Sequence, residues 1–330
     1  MGQTRVFLRV TVVNGTEYCY HNITAAFCRT ERADMIEEKR KSFDGTEIFV
    51  TVWDEVEDPK AVVMISHGVS EYGGRYDSFA RYLNGRGFIV FCDDHRAHGR
   101  TEPPEELGRH TGDVFRDTVR DEVYFYGRLK EEYGLPVFFL GHSYGSFIGQ
   151  AFAQAGTDVR AIALMGSAHL GTEASAGKIV VAPLALLAGK WRPRMVNIVT
   201  DALFSFKGDS GRSQWLTRDS VNRGEFIADP LCGIDLSIAF DYSMMCGVSS
   251  LYGKTAAAGL NRNTPVALFS GGRDPIGGNG KKVRKLEKFY RRYGVPVETH
   301  IYKDMRHEII NEIGKEAPRR EIADFFLRFV

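Results

Sequence analysis

A serine between two glycines follows an apolar run near the middle of the 330-residue chain. Residues 137–140 read Val-Phe-Phe-Leu, and Gly-His-Ser-Tyr-Gly follows at 141–145. A Gly-x-Ser-x-Gly sequence between a strand and a helix forms a sharp turn that exposes the serine Oγ, and glycines leave room for that turn. The pattern predicts that Ser143 is a catalytic nucleophile, with an ordinary glycine-rich turn as the alternative.

A serine nucleophile needs a histidine base and an acid that orients the histidine. After a turn of this kind, the acid and then the histidine follow along the chain. Asp274, in Phe-Ser-Gly-Gly-Arg-Asp-Pro, follows an apolar run and is the best acid, although an Asp-Pro turn is the alternative. His307, in Asp-Met-Arg-His-Glu, is the best base. Its neighbours Asp304 and Glu308 share its short loop, so we expect them to be surface or capping residues.

Two backbone amides are predicted to stabilise the negative charge that develops on an attacked carbonyl oxygen. The first belongs to Tyr144, the residue after the predicted nucleophile. The second should come from a loop after an earlier strand. Ser-His-Gly-Val at 66–69 follows an apolar segment, which makes the Val69 amide the candidate. A plain turn at the end of a strand is the alternative.

Strands and helices alternate through most of the chain, which predicts an α/β fold with a mostly parallel sheet and helices on both faces. The predicted strands are 61–66, 88–92, 137–140, 161–165, 266–270 and 298–302, and the predicted helices are 76–85, 113–132, 146–155, 281–293 and 319–330. Residues 41–53 read as two further strands joined at Asp44-Gly45, and Asn14-Gly15 predicts a hairpin turn within 6–20.

The block from residue 170 to 260 interrupts this alternation. It has apolar patches with helical spacing at 179–187, 195–206 and 236–245, and no convincing strand. We therefore expect three parts: an N-terminal extension at 1–34 with a hairpin, an α/β core formed by 35–169 and 261–330, and an inserted helical cap at 170–260.

Composition excludes several classes of protein. With 43 basic and 42 acidic residues the net charge is +1, which argues against nucleic acid as a partner. The five cysteines show no Cys-x-x-Cys spacing, so we expect neither a metal site nor a disulfide framework, and a reduced, cytoplasmic setting. The longest apolar stretch, 179–188, contains Pro183 and is shorter than the roughly 18 residues that span a bilayer. The N-terminus lacks the apolar core of a signal peptide.

Several motifs resemble one group of enzymes. His-Gly-Val-Ser-Glu-Tyr-Gly-Gly-Arg-Tyr at 67–76 and Asp-His-Arg-Ala-His-Gly-Arg-Thr at 94–101 are similar to two boxes of the monoacylglycerol lipase and lysophospholipase group of α/β hydrolases, the serine aminopeptidase-like family. In the second box, Ala97 and Thr101 replace the usual glycine and serine. Segments 217–220, 228–231, 271–274 and 306–308 resemble further boxes, and the resemblance covers residues 35–330 in order.

The resemblance implies an α/β-hydrolase fold without a cofactor. It also implies a triad of Ser143, His307 and Asp274 that cleaves esters through an acyl-enzyme, with the Val69 and Tyr144 amides as the oxyanion hole. Residues 95–99 would form a polar network under the site. The leading hypothesis is therefore a serine hydrolase of monoacylglycerols, lysophospholipids or smaller acyl esters.

The substrate depends on the cap, which the sequence defines less well. Its apolar stretch 179–187 could line an acyl tunnel, pack on the core or face a membrane, and the cationic Lys-Trp-Arg-Pro-Arg at 190–194 follows it. Transient contact with a membrane surface is thus one expectation for the cap. Aromatic and methionine side chains that could furnish an adaptable pocket are Trp215, Phe226, Phe240, Tyr242, Met244 and Met245. Cys232 and Cys246 are expected to be free thiols.

Two alternatives to the ester hydrolase remain. An aminopeptidase of the same fold needs a carboxylate that holds the substrate's free amine, and the sequence assigns none in the cap. A non-catalytic binding protein with this fold would be indicated by loss of a triad residue, but all three are present.

Overall fold

The structure is a computed structural model that describes residues 12–13, 16–17, 35–194, 204 and 211–330. The chain divides into two compact units, Met1–Asp34 and Met35–Val330. In the first unit, β1 (Val12–Val13) pairs in antiparallel fashion with β2 (Thr16–Glu17). This pairing agrees with the predicted hairpin, and Asn14-Gly15 and the rest of the predicted hairpin at 6–20 lie outside the described residues.

The second unit is built on an eight-stranded sheet. Its strands are β3 (Ile36–Lys41), β4 (Glu47–Trp53), β5 (Ala61–Ser66), β6 (Phe88–Asp93), β7 (Val137–His142), β8 (Ile162–Met165), β9 (Val266–Gly271) and β10 (Val297–Tyr302). They lie in the order β10-β9-β8-β7-β5-β6-β4-β3. The pairs β3–β4 and β4–β6 are antiparallel and the others parallel, which confirms the predicted mostly parallel sheet.

Helices cover both faces of this sheet, as the alternation of elements predicts. They are α1 (Asp77–Asn84), α2 (Val114–Tyr133), α3 (Tyr144–Phe152), α8 (Lys281–Arg292) and α9 (Glu316–Leu327), and four further helices, α4 to α7, lie between α3 and α8 in the described part of the chain. One apolar core contains side chains of α2, α3 and α8, and a second contains side chains of α1 and α9. Every residue of β5, β6, β7, β8 and β9 is buried, as expected for strands covered on both faces.

Helices also fill the segment between β8 and β9. They are α4 (Gly171–Ala188), α5 (Ser220–Ala228), α6 (Ile238–Ser250) and α7 (Lys254–Ala258). We call residues 170–260 the cap segment, and its described part contains no strand. The predicted apolar patch at 195–206 lies outside the described residues except for Phe204. Two of the predicted patches are confirmed as parts of α4 and α6.

Helix α4 is longer than the sequence predicts. Pro183 lies inside it without ending it, although proline lacks the amide hydrogen that a helix interior uses. With 18 residues and a mean hydropathy of 1.2, α4 is long and apolar enough to cross a membrane by those two measures alone. The helix reaches this length by including residues 171–178, which contain Glu173 and Lys178, whereas the longest apolar stretch remains 179–188.

Candidate active site

Ser143 occupies a strained turn between β7 and α3. Its φ and ψ angles are 52° and −115°, a region that residues other than glycine seldom adopt. A Cβ atom added to Gly145 would lie 2.0 Å from the Ser66 carbonyl oxygen, and one added to Gly141 would lie 2.3 Å from the Gly145 carbonyl oxygen. A side chain at either position would therefore clash with the backbone, so both residues must be glycine. The geometry is that of the predicted turn, and it places Ser143 on the wall of a cavity.

His307 and Asp274 meet at the neighbouring strand ends. Asp274 follows β9 and His307 follows β10, and both side chains are buried. The His307 Nδ1 atom lies 3.0 Å from Asp274 Oδ1. Burial lowers the pKa of His307, but the charge and hydrogen bond of Asp274, together with the charges of Glu308 and Glu71, outweigh it, so the pKa is raised above its usual value. The chain order and the strand-end positions both agree with the sequence-based assignment.

The imidazole of His307 also faces the cavity that Ser143 lines. Its Nε2 atom is buried and has no hydrogen-bond partner among the described residues. The ring packs against Gly166, where an added Cβ would lie 2.8 Å from His307 Cε1. The structure thus brings Ser143 and His307 to one cavity, without a hydrogen bond between their side chains.

The loop after β5 carries the predicted oxyanion amide. The His95 amide donates to His67 Nε2 over 2.9 Å, so the ring proton of His67 resides on Nδ1, 2.7 Å from the Gly68 carbonyl oxygen. A hydrogen bond to that carbonyl orients the Gly68–Val69 peptide and polarises its N–H. Val69 and Tyr144 both line the cavity. Tyr144 opens α3, so its amide has no acceptor within the helix.

A buried charged cluster links this loop to the loop of His307. Arg75 Nη1 and Nη2 donate to the two carboxylate oxygens of Glu308 over 2.9 and 2.8 Å, and Arg75 also pairs with Glu71. Burial alone would raise the pKa of Glu71, but Arg75 and His142 outweigh it and hold that pKa well below its usual value. The expectation that Glu308 is a surface or capping residue is wrong, because Arg75 pairs with it in the interior. Asp304 is exposed, as expected.

Part of the cap segment is fixed to the same loop. The His307 and Glu308 amides donate to the carbonyl oxygens of Trp215 and Leu216 over 3.4 and 2.8 Å. The Trp215 ring lies 5.0 Å from the His307 ring, centroid to centroid. The buried Glu312 accepts from the Arg218 amide over 3.0 Å. Segment 217–220 thus has a structural role that its sequence did not reveal.

The cavity has a volume of about 390 Å³ and a mainly apolar wall. Of the predicted pocket residues, Trp215, Phe226, Met244 and Met245 line it. Phe240 and Tyr242 do not line it, so that part of the prediction is wrong. The reason is the helical repeat of α6: Phe240 turns into the apolar core against Tyr144, and Tyr242 faces a second, separate cavity beside α4.

The apolar stretch of α4 does not line the active-site cavity either, to which α4 contributes Glu173 and Ala174. Its large side chains are exposed, at Ile179, Val180, Leu184, Leu186 and Leu187. The hypothesis of an acyl tunnel along this stretch is therefore not supported. Cys232 and Cys246 are free thiols, as predicted.

One group of described side chains has the spacing to hold a metal ion. Asp93, His95 and Glu122 are buried, and one ligand atom from each lies within 4.8 Å of the others. None of the three lines the active-site cavity. Burial and then the Asp93 charge raise the pKa of Glu122 well above its usual value, so a proton on Glu122 reduces the negative charge without an ion. His95 and the buried His98 agree with the polar network expected under the site.

Comparison with models of protein families shows which family the chain belongs to. The model of the family described as serine aminopeptidase S33 matches residues 57–314. The chain belongs to this family. Its strand order and the position of Ser143 are consistent with the α/β-hydrolase fold that the sequence motifs imply.

Individual relatives agree with this assignment. The chain is 30% identical to human monoglyceride lipase over an alignment of 239 residues, and this alignment covers 71% of each protein. It is 27% identical over 278 residues to a monoacylglycerol lipase of Mycolicibacterium smegmatis, covering 81% of this chain and 88% of the relative. A thermostable carboxyl esterase of Bacillus coagulans, solved in complex with glycerol, superimposes with a TM-score of 0.81 at 23% identity, over 89% of this chain and 98% of the esterase. That likeness concerns the fold.

Proposed function

We propose that the protein is a serine carboxylic-ester hydrolase that cleaves monoacylglycerols, lysophospholipids or short-to-medium acyl esters through an acyl-enzyme. One observation carries the proposal: the strained Ser143 and the Asp274-paired His307 open on the same mainly apolar cavity. The names of the relatives, monoglyceride and monoacylglycerol lipases, support esters of fatty acids as the substrate class.

In the proposed reaction, Ser143 Oγ attacks the ester carbonyl and transfers its proton to His307 Nε2. The Val69 and Tyr144 amides stabilise the resulting oxyanion. Collapse of this intermediate expels the alcohol, which takes the proton from His307. His307 then deprotonates a water molecule that hydrolyses the acyl-enzyme and regenerates Ser143. Asp274 holds the His307 proton on Nδ1 and stabilises the charged imidazole.

The proposal assigns different tasks to two parts of the chain. The core, residues 35–169 and 261–330, supplies the triad and the oxyanion amides, and the cap at 170–260 supplies most of the substrate-binding wall. The exposed apolar face of α4, followed by the cations of 190–194, supports transient contact with a lipid surface. Residues 1–34 are assigned no part in the chemistry, and a chain that lacks them should fold and hydrolyse esters at the wild-type rate.

A fluorophosphonate probe tests the nucleophile. We expect the wild-type protein to be labelled and Ser143→Ala to remain unlabelled. Ser250→Ala, which removes an exposed hydroxyl of α6, is the matched control and should be labelled like the wild type. Equal labelling of wild type and Ser143→Ala, or no labelling of the wild type, would contradict the assignment of Ser143.

A substrate panel tests the reaction class. p-Nitrophenyl esters of graded chain length should be hydrolysed with a kcat/KM that depends on chain length, because the cavity is apolar and of limited volume. Amino-acid anilides in the same panel test the aminopeptidase alternative. A higher kcat/KM for the anilides than for every ester would overturn the ester hydrolase.

A further inference from the structure

Asp241 places a carboxyl group in the wall of the mainly apolar active-site cavity. It lies in the first turn of α6 and is 7% exposed. It lines the same cavity as Ser143 and His307, so the small accessible part of the residue faces the space that a substrate would fill. The sequence offered a signal, because Asp241 is the one charged residue in the apolar run at 238–245.

The carboxylate of Asp241 has no hydrogen-bond or ion-pair partner within the described residues. The other carboxyl groups on the cavity wall are all engaged. Glu71 and Glu308 pair with Arg75, and Glu173 lies 3.2 Å from Lys282. The Asp241 carboxylate oxygens are not among the fully enclosed atoms that lack a partner, so they reach the cavity. A substrate that displaces water from them without offering a donor would leave them unpaired, which is costly.

The surroundings of Asp241 favour a partner that arrives with the substrate. Met244, Met245 and Val248 follow it at helical spacing and line the same cavity, so they share a face of α6 with it. Burial raises the pKa of Asp241 to about 7. The neutral and the ionised carboxyl are therefore both populated near neutral pH, and both accept hydrogen bonds.

We propose that Asp241 is a specificity-determining residue that accepts a hydrogen bond from a hydroxyl or ammonium group of the substrate. This inference rests on the proposed ester hydrolase and narrows its substrates to esters that carry such a donor on the part lying against α6. An ester of this class supplies the partner that the protein lacks. A plain alkyl ester leaves the carboxyl unpaired in an apolar wall, and sites built for a hydrogen bond discriminate strongly against analogues that lack the donor.

The test compares matched esters with the wild type, Asp241→Asn and Asp241→Leu. One set contains p-nitrophenyl esters of equal chain length, unsubstituted or with a hydroxyl or an ammonium group at successive carbons. A second pairs a monoacylglycerol with the methyl ester of the same fatty acid, which places the donor on the alcohol. We expect the wild type to prefer at least one donor-bearing ester about tenfold or more in kcat/KM.

The substitutions should lower kcat/KM on the preferred donor-bearing ester relative to kcat/KM on the plain ester of equal length. Asp241→Leu should lose activity on the preferred ester and gain activity on its plain counterpart. Asp241→Asn retains a carbonyl acceptor, so it should keep part of a preference for a hydroxyl and lose a preference for an ammonium group. This difference identifies which donor is bound.

Equal ratios of donor-bearing to plain ester in wild type and Asp241→Leu would overturn the inference while leaving the ester hydrolase intact. If no ester is hydrolysed, the proposed function fails instead. Thermal shifts of Ser143→Ala and of the Ser143→Ala/Asp241→Leu double variant with alkanols, alkylamines and alkanes of equal length then test the inference without turnover. A larger shift with the donors, lost in the double variant, supports it, and equal shifts contradict it.

Discussion

The core and the cap segment differ in how far their apolar residues are buried. In the core, every residue of β5 to β9 is buried, and the turn at Ser143 is confined by backbone contacts to its glycines. In the cap, Ala174 is the one buried residue of α4, while Leu186 and Leu187 are 88% and 87% exposed. The two regions are joined where Trp215 and Leu216 accept from the His307 loop.

This difference indicates which properties of the protein should respond to substitutions in each region. Positions in a core confined by backbone atoms have no room for added volume, because interiors are closely packed. Side chains on an exposed helix face can change with little effect on the fold. Chemistry should therefore be sensitive to single atoms in the core, while substrate and surface preferences should respond to changes in the cap.

The largest effect is expected for Gly166→Ala in the core. The new Cβ would lie 2.8 Å from His307 Cε1, so the imidazole must move. A misplacement of about 1 Å costs roughly 10²-fold in rate, and we expect kcat to fall about that much while the fold is retained. Steady-state kinetics and circular dichroism of the purified variant measure both.

Gly156→Ala is the matched control. Gly156 also has a positive φ, 74° against 57° for Gly166, but no atom lies within 4 Å of its added Cβ. Both variants therefore carry the cost of a left-handed alanine, about 1–2 kcal/mol, and only one meets His307. Equal kcat values for the two would show that the close approach of Gly166 to the imidazole does not matter.

The next effect tests the cap. Leu186→Asp/Leu187→Asp should weaken binding to anionic lipid vesicles about tenfold or more, since burial of one leucine contributes about 1.5–3 kcal/mol. Hydrolysis of a soluble short-chain ester should stay near the wild-type rate, because neither leucine lines the cavity. Vesicle co-sedimentation and ester kinetics measure the two properties.

Val221→Asp is the control for this change, as Val221 is 70% exposed on α5 and lies outside the apolar face of α4. It should leave vesicle binding unaltered. If it weakens binding as much as the double variant does, lipid contact is not specific to α4. Wild type that does not bind vesicles would refute the lipid contact altogether.

The contrast between the regions also explains what the sequence could predict. Buried parallel strands appear as continuous apolar runs, and residues directly after them meet at one sheet edge. Asp274 follows such a run, because β9 is buried throughout. The strand before His307, β10, is only half-buried along its length, so the prediction of His307 depends on the chain order of the triad and not on an apolar run. In the cap, apolar periodicity does not reveal what a face contacts. The stretch at 179–187 fits a tunnel, a packed helix or an exposed face equally well.

The sequence does not reveal the role of a residue whose partner lies far away in the chain. Glu308 pairs with Arg75, which lies on a segment far away in the chain, so proximity to His307 suggested only a surface role. The sequence predicts the apolar wall of α6 only in part, because residue type indicates Met244 and Met245 but does not indicate which face of the helix they share. Counting from Asp241 in steps of three and four would have excluded Phe240 and Tyr242.

A smaller effect is expected in the interior of the core at Glu122. Its pKa is raised well above the usual value by burial and then by Asp93, so the folded protein holds a proton that the unfolded chain releases above about pH 4.5. Because the folded protein binds this proton more tightly than the unfolded chain does, the free energy of unfolding is higher at lower pH. It falls as the pH rises towards the folded-state pKa of Glu122. Glu122→Gln, a neutral isostere, should remove part of this loss.

The measurement for Glu122 is the melting temperature between pH 5 and pH 9. We expect the variant to melt on the order of 2 °C higher than the wild type at the alkaline end, with a smaller or opposite difference at pH 5. The exposed Glu316→Gln should follow the wild type throughout. A metal ion held by Asp93, His95 and Glu122 predicts the opposite result, because the variant would lose a ligand and melt lower at every pH.

The smallest effect is a shift in the pH profile from Glu308→Gln, at the junction of core and cap. Glu308 is among the charges that raise the pKa of His307, after Asp274. Its neutralisation should lower that pKa and move the acidic limb of the kcat/KM profile to lower pH, since His307 must be neutral to accept the Ser143 proton. Glu316→Gln, remote from the site, serves as control. A purely structural role for Glu308 would lower kcat/KM at all pH values and leave the limb in place, and that outcome would remove the electrostatic link between the charged cluster and the base.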